Sequence, residues 1–114
     1  MFRGQVWLIN LDPTVGAEAS QTRPAVIVND DGVGVLPLRT VVPLTDWKDH
    51  YIVAAWMVKL EPTTENGLRQ TSAADAFQMR SVAQERLVRQ LGKLSDDDVR
   101  QISKALAIVL GISP

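Results

Sequence analysis

The sequence predicts a mainly β protein, a small antiparallel barrel with one C-terminal helix packed against it. Short runs rich in β-branched and aromatic residues recur along most of the chain, separated by clusters of glycine, proline, aspartate and asparagine. The last segment instead places apolar residues at helical spacing. The length of 114 residues suits one domain, so residues 1–114 are expected to form a single domain.

The first strand is predicted over Gly4–Leu11, where apolar residues occupy both faces. Asp12 and Pro13 end it, because proline has no backbone donor for a sheet ladder. The next segment, Thr14–Thr22, is small, polar and glycine-containing, so we expect a loop that is longer than an ordinary hairpin connection. Loops of that length often carry function.

Four further strands are predicted from β-branched or alternating patterns, and they occupy Ala25–Asp30, Arg39–Thr45, Tyr51–Leu60 and Thr71–Val82. The alanines of the last segment favour a helix, but its alternation suits a strand, which we expect. A short helical turn is expected around Ala83–Arg89.

The C-terminal helix has a clear start and end. Ser95 followed by Asp98 resembles a capping box, and the acidic run Asp96–Asp98 suits the positive end of the helix dipole. Apolar residues then recur at helical spacing, at Val99, Ile102, Leu106, Val109 and Leu110. Gly111 fits the residue that ends a helix.

The composition excludes several classes of protein. With 46% apolar and 22% charged residues the chain is globular, and its formal net charge of −1 means that any polyanion site must be local. There is no cysteine and only one histidine, His50, so neither a thiolate site nor a histidine cluster can bind a metal. Phosphate-binding and dinucleotide-binding motifs are absent, and we expect no metal and no cofactor. Without a signal segment or an apolar run of spanning length, a cytoplasmic protein away from membranes is expected.

Arg23 and Thr45 are the first candidate site residues. Pro24 excludes the helical region for Arg23, so this arginine is held in extended backbone, and its guanidinium suits a phosphate. A surface arginine at a strand end is an equally good interpretation. Thr45 could donate a hydrogen bond to a phosphoryl oxygen, although an ordinary strand threonine is the stronger interpretation of this residue alone.

Three other side chains have candidate roles. Asp75 is predicted to share a strand face with Phe77 and Met79, and a structural ion pair is at least as probable for it as a functional role. Histidine is a common acid-base catalyst, but the polar surroundings of His50 favour an exposed loop histidine. Trp47, near Thr45, is a candidate base-stacking surface.

Four stretches of the chain follow one another in a specific order. They are RGQVWLINLDPTVGAEASQTRPAVIVND, then VVPLT, then SAADAFQMRSV with ERL, and LGKLS leading into a helix that ends in VLGI. Taken together, these segments resemble the MazF/PemK toxins of bacterial toxin–antitoxin pairs. Each motif is weak alone, but their order and spacing are specific, and together they cover nearly the whole chain.

The resemblance implies an SH3-like barrel, a homodimer, and a metal-independent, sequence-specific endoribonuclease. Its substrate would be single-stranded RNA, and a cognate antitoxin would restrain it and bind DNA with it. Catalysis is implied at Arg23 and Thr45. RNA contacts are implied for the loop after the first strand and for the later glutamine and arginine, namely Glu18, Ser20, Gln21, Thr22, Gln78 and Arg80.

Two positions depart from the family pattern. Phe77 stands where the family often has an acidic residue, which makes Asp75 a possible auxiliary acid, and Ala83 replaces a frequent aspartate.

Two other functions stay open. A noncatalytic gyrase-poisoning toxin of the CcdB type ranks second, because Gly111 and Ile112 match its pattern but Leu110 stands where its tryptophan would be. The third is a small barrel that binds protein or nucleic acid without catalysis.

Overall fold

The computed structural model describes residues 1–11, 16–17 and 22–113. This part of the chain forms a mainly antiparallel β structure with one C-terminal helix, which confirms the predicted fold class. In chain order its strands and helix are β1 (Gln5–Asn10), β2 (Thr22–Ile27), β3 (Leu38–Asp46), β4 (Met57–Leu60), β5 (Ser72–Asp75), β6 (Arg80–Ala83), β7 (Leu87–Lys93) and α1 (Asp96–Leu110).

Strand β3 is the centre of the sheet. The strands are ordered β4-β5-β3-β2-β1-β7, and β6 pairs with β3 outside this path. One side of β3 pairs with β2, while the other side pairs with β6 along its first half and with β5 along its last half. Register shifts between β1 and β7 add irregularities, which bend and twist a sheet.

Two hydrophobic clusters lie on opposite faces of β1, β2 and β3, because successive side chains of a strand alternate between faces. The first cluster includes Val6, Val26 and Val42, and α1 covers it with Ile102. The second cluster lies on the other face and consists of Ile9, Leu11, Ala25, Ile27, Val41, Val82 and Leu87. Neighbouring residues of β2 therefore point to opposite faces, so that one side chain faces α1 and the next belongs to the second cluster.

The predicted ends of the helix are confirmed. The Ser95 hydroxyl oxygen accepts a hydrogen bond from the Asp98 amide at 3.1 Å, and Gly111 adopts the left-handed conformation with φ 68°. The described residues contain no helix that is both long and apolar enough to cross a membrane.

The prediction of a strand over Tyr51–Leu60 is wrong for its first part. Only Met57–Leu60 is a strand, and Asp49–Val53 is a 3-10 helix. The Ala54 amide donates to the Tyr51 carbonyl at 2.9 Å, so local hydrogen bonds replace those of a sheet ladder. Ile52 and Val53 are 80% and 89% exposed, so their β-branched side chains do not join a sheet face.

The predicted strand over Thr71–Val82 is two strands, β5 and β6, separated by a 3-10 turn at Ala76–Gln78. The Asp75 carboxylate caps this turn by accepting the Phe77 amide at 3.1 Å. The turn breaks the alternation, so the prediction that Asp75, Phe77 and Met79 share one strand face is wrong.

The expected helical turn around Ala83–Arg89 is a 3-10 turn over Gln84–Arg86 only. Strand β7 begins directly after it and pairs with β1, and the sequence interpretation missed this strand. Four of the seven β7 residues are exposed, and its apolar residues do not alternate regularly with polar ones, so it lacks the pattern that identifies a strand with one buried face.

Candidate active site

The sheet register brings Arg23 and Thr45 together. Strands β2 and β3 pair Ile27 with Val41, Val26 with Val42, and Ala25 with Pro43. Continuing this antiparallel register two residues further sets Arg23 opposite Thr45. Opposite residues of an antiparallel pair project from the same face, with Cβ atoms about 5 Å apart.

Both side chains are half-buried, so they are neither sealed in the core nor fully in solvent. Arg23 pairs with Ile9 of β1 and shares a face with Ala25, which places it at the end of the second cluster. Pro24 restricts Arg23 to extended backbone, as β2 requires. A charged group at the edge of an apolar cluster is partly shielded from water, which strengthens its attraction to an anion.

Asp75 lies near this pair. Ala73 of β5 is opposite Thr45, and Asp75 is two residues further along the same face. Burial raises the pKa of the Asp75 carboxyl above its ordinary value, and hydrogen bonds from the Phe77 and Gln78 amides partly offset that rise. A half-buried carboxyl with a raised pKa beside a cationic site is a candidate for proton transfer.

Gln78 connects the 3-10 turn to the segment between β1 and β2. Its side-chain amide donates to the Ala17 carbonyl at 3.1 Å. Arg80 is half-buried and pairs with Val41, which places it on the face that also carries Arg23. The structure therefore places Arg80 on the same face as the candidate pair and Gln78 against Ala17.

The remaining predicted residues have more varied positions. Thr22 is exposed at the start of β2, whereas Glu18, Ser20 and Gln21 lie outside the described residues. Trp47 is half-buried, with the Lys59 ammonium 5.3 Å from its ring centroid and Tyr51 edge-on at 5.8 Å. Lys59 pairs with Ala73, so Trp47 lies beside the row of residues that contains Thr45.

His50 is exposed in the 3-10 helix, with its ring 4.7 Å from that of Tyr51. Among the interactions of the described residues, none joins His50 to Arg23 or Thr45.

Sequence reasoning missed a cleft at this end of the sheet. It has a volume of about 560 Å³ and is lined by Thr45 and by two Arg-Gln pairs, Arg69 with Gln70 and Arg89 with Gln90. Strand β7 carries the second pair, so missing that strand hid the cleft. The repeated Arg-Gln dipeptide was the one available signal in the sequence, and by itself it does not show that the two dipeptides lie close together.

Solved structures share this fold. A mycobacterial endoribonuclease in complex with its cognate antitoxin superposes with a TM-score of 0.80 at 22% identity, covering 100% of this chain and 98% of that one. MazF from Deinococcus radiodurans gives a TM-score of 0.79 at 23% identity, covering 98% and 97%. The fold thus defines the class, that of small antiparallel β proteins with one terminal helix.

Sequence comparison identifies the family within that class. The chain belongs to the PemK-like, MazF-like toxins of type II toxin–antitoxin systems, whose family model matches residues 2–110. It is 38% identical over 118 residues to the endoribonuclease MazF9 of Mycobacterium tuberculosis, with 98% of each chain covered. It is also 36% identical over 83 residues to the endoribonuclease PemK of Escherichia coli, covering 72% of this chain and 60% of that protein. This result confirms the resemblance and favours the first predicted function over the CcdB-type alternative.

Proposed function

We propose that this chain is the toxin of a toxin–antitoxin pair and acts as a sequence-specific endoribonuclease on single-stranded RNA. The single observation that supports the proposal is the register of β2 and β3, whose continuation two residues beyond the Ala25–Pro43 pair would bring Arg23 opposite Thr45, both half-buried. The relatives at 38% and 36% identity are named endoribonucleases, which supports the same activity.

The proposed reaction needs no group from outside the protein and the RNA. The 2′-hydroxyl oxygen attacks the adjacent phosphorus and loses its proton, and the bond from phosphorus to the 5′ oxygen breaks. The leaving 5′ oxygen gains a proton, so the products are a 2′,3′-cyclic phosphate and a 5′-hydroxyl end. Negative charge accumulates on the nonbridging oxygens as the fifth bond forms.

Arg23 and Thr45 would stabilise that charge. The guanidinium offers a planar pair of N–H donors that suits two phosphate oxygens, and the Thr45 hydroxyl donates a further hydrogen bond. Donors fixed in place before the reaction are worth the most at such a site. A guanidinium keeps its charge in proteins, so Arg23 is assigned the electrostatic role and not the proton transfer.

Asp75 is the proposed auxiliary acid. Burial raises the pKa of its carboxyl, which brings the group nearer to the pH at which it can exchange protons. Its position on the face of Thr45 allows a role at the attacking or the leaving oxygen. The other proposed RNA contacts are those of the sequence interpretation: Glu18, Ser20, Gln21, Thr22, Trp47, Gln78 and Arg80.

The biological setting is part of the same proposal. Residues 1–114 would act as one domain, and two copies would form a homodimer in the cytoplasm. A cognate antitoxin would inhibit the chain and bind DNA with it, as a toxin of this family requires a partner. The mycobacterial structure, which contains an antitoxin, supports this assignment.

A digest of a long single-stranded RNA tests the activity. Purified protein in EDTA should cut at one recurring short sequence and leave cyclic phosphate and 5′-hydroxyl ends. Arg23→Ala should abolish cutting while its circular dichroism spectrum matches that of the unmodified protein. Arg100→Ala is the matched control, because Arg100 is exposed on α1 and pairs with nearby Asp97 at 3.3 Å. Uncut RNA, or blocked gyrase supercoiling with RNA untouched, would refute the proposal.

A further inference from the structure

The cleft of about 560 Å³ is built on rigid walls. One wall is the segment before β5, which Asn66 holds: its side-chain oxygen accepts from the Thr63 and Leu68 amides at 3.0 and 2.9 Å, and its side-chain nitrogen donates to the Glu61 carbonyl at 2.9 Å. Asn66 is 1% exposed. Four residues later along the chain the segment ends in Gln70, at the mouth of the cleft.

The second wall is β7, and the two walls touch through their backbones. The Lys93 amide donates to the Glu65 carbonyl at 2.8 Å. Gly67 has a φ of +69° and leaves no room for a Cβ atom beside the Leu91 carbonyl, so a larger residue there would push the walls apart. Both walls of the cleft are therefore held together by contacts within the chain.

The chemistry of the cleft suits a nucleotide. Its floor is apolar and includes Leu8, Pro24 and Leu44, while Arg69 and Arg89 stand exposed at its rim. Within the described part of the chain, neither guanidinium has an ion-pair or hydrogen-bond partner. Asp46, the one acidic residue of the described lining, accepts a hydrogen bond from the Gln70 side chain. The volume lies within the range of about 300–1,000 Å³ that is usual for ligand sites.

We propose that this cleft holds the RNA strand next to the scissile phosphate, with one nucleotide on the apolar floor and backbone phosphates on Arg69 and Arg89. The inference rests on the proposed nuclease function and extends it to a second binding site. Base contacts to the glutamines Gln70 and Gln90 would complete the recognition.

Position favours RNA over an acidic peptide as the occupant. Thr45 lines the cleft and also belongs to the candidate catalytic pair, so one continuous strand can reach both. Leu8 pairs with Pro24 on one side and with Arg89 on the other. Two strand spacings, about 10 Å, therefore separate Arg89 from Pro24, the neighbour of Arg23.

Salt dependence of RNA binding tests this site directly. The probe is a single-stranded RNA that contains the cut sequence, with 2′-deoxyribose at the cut position so that it binds without being cleaved. For single strands, the slope of log affinity against log salt changes by about 0.7 for each phosphate contact. Arg69→Ala and Arg89→Ala should each lower the slope by about 0.7, and the double variant should lower it by about 1.4.

Two kinds of control make the result specific. Arg100→Ala removes an exposed arginine from α1 and should leave the slope unchanged. Arg69→Lys and Arg89→Lys keep the positive charge and should restore most of the slope. Both arginines are exposed, so their removal should leave the fold intact, which circular dichroism checks.

An unchanged slope in the double variant would overturn the inference. So would a loss of antitoxin binding with an unchanged slope, which would assign the cleft to a protein partner. A failure of the nuclease proposal would give a different result, because the wild-type protein would then cut no RNA. The slope of log affinity against log salt, measured on a fully 2′-deoxy strand, would still show whether the cleft binds a single strand.

Discussion

The two faces of the sheet carry different chemistry at the end where β2 begins and β3 ends. Arg23 and Thr45 project from one face, where they lie beside the second hydrophobic cluster. The intervening residues Pro24 and Leu44 belong to the other face and form the floor of the cleft. The alternation thus directs the Arg23 and Thr45 side chains away from the floor proposed to hold the strand, while Thr45 also lines the cleft at its edge.

This separation gives each face its own kinetic effect. Donors that act mainly on charge formed during the reaction should affect kcat, whereas contacts present equally before and during the reaction should affect KM alone.

Arg23→Ala should have the largest effect. Loss of a preorganised donor to a developing charge lowers kcat by about 100- to 1,000-fold. Single-turnover cleavage measures the loss, and an unchanged affinity for the noncleavable RNA would locate it in the chemical step. A variant that cuts at the normal rate would remove Arg23 from the site.

Thr45→Ala should come second. A hydrogen bond to a charged group is worth about 1.5–3 kcal/mol, which corresponds to about 10- to 150-fold in rate. Thr45→Ser keeps the hydroxyl and should retain most of the activity. If serine and alanine variants are equally slow, packing of the threonine methyl group explains the loss instead of hydrogen bonding.

The cleft variants should have a smaller effect and a different kinetic form. Removal of one phosphate contact weakens single-strand binding about four-fold at 0.15 M salt, from the slope of about 0.7 per contact. We expect Arg89→Ala to raise KM by that factor with kcat unchanged. A fall in kcat instead would mean that the two faces do not have separate roles.

Asp75→Asn tests the raised pKa through stability, where its effect has a definite sign. Burial raises the folded-state pKa of Asp75 above its unfolded value, so the folded state binds its proton more tightly. The wild-type chain therefore gains stability as pH falls through the raised pKa, and the neutral asparagine does not. In urea unfolding, the free energy of unfolding of the variant relative to that of the wild type should be highest near pH 7. This difference should become smaller as the pH falls. If the free energy of unfolding of the variant relative to the wild type instead rises as the pH falls, the raised pKa of Asp75 is contradicted.

The sequence predicted the parts of the molecule that depend on local rules. The terminal helix followed from Ser95, the acidic first turn and Gly111, each of which acts within one turn of the chain. The extended backbone at Arg23 followed from Pro24 in the same way. The family resemblance supplied the pairing of Arg23 with Thr45, which local patterns alone left undecided.

The parts that sequence reasoning missed depend on tertiary contacts. Ile52 and Val53 have high strand propensity, yet a 3-10 helix forms there and leaves both exposed. Asp75 turns the chain through a side-chain hydrogen bond, which divides an apparently continuous strand. Strand β7 is identified by its pairing with β1, so the cleft between Arg69 and Arg89 could not be predicted from spacing.

A double-mutant cycle on Arg23 and Thr45 tests most directly whether the two side chains act on one phosphate. Single-turnover cleavage rates are needed for the wild type, both alanine variants and the double variant. Cooperation at one phosphate predicts that the double variant loses much less than the product of the two single losses, because removing either partner already impairs the shared site. Losses that simply multiply would mean that Arg23 and Thr45 act independently, and would contradict a shared site at the end of β2 and β3.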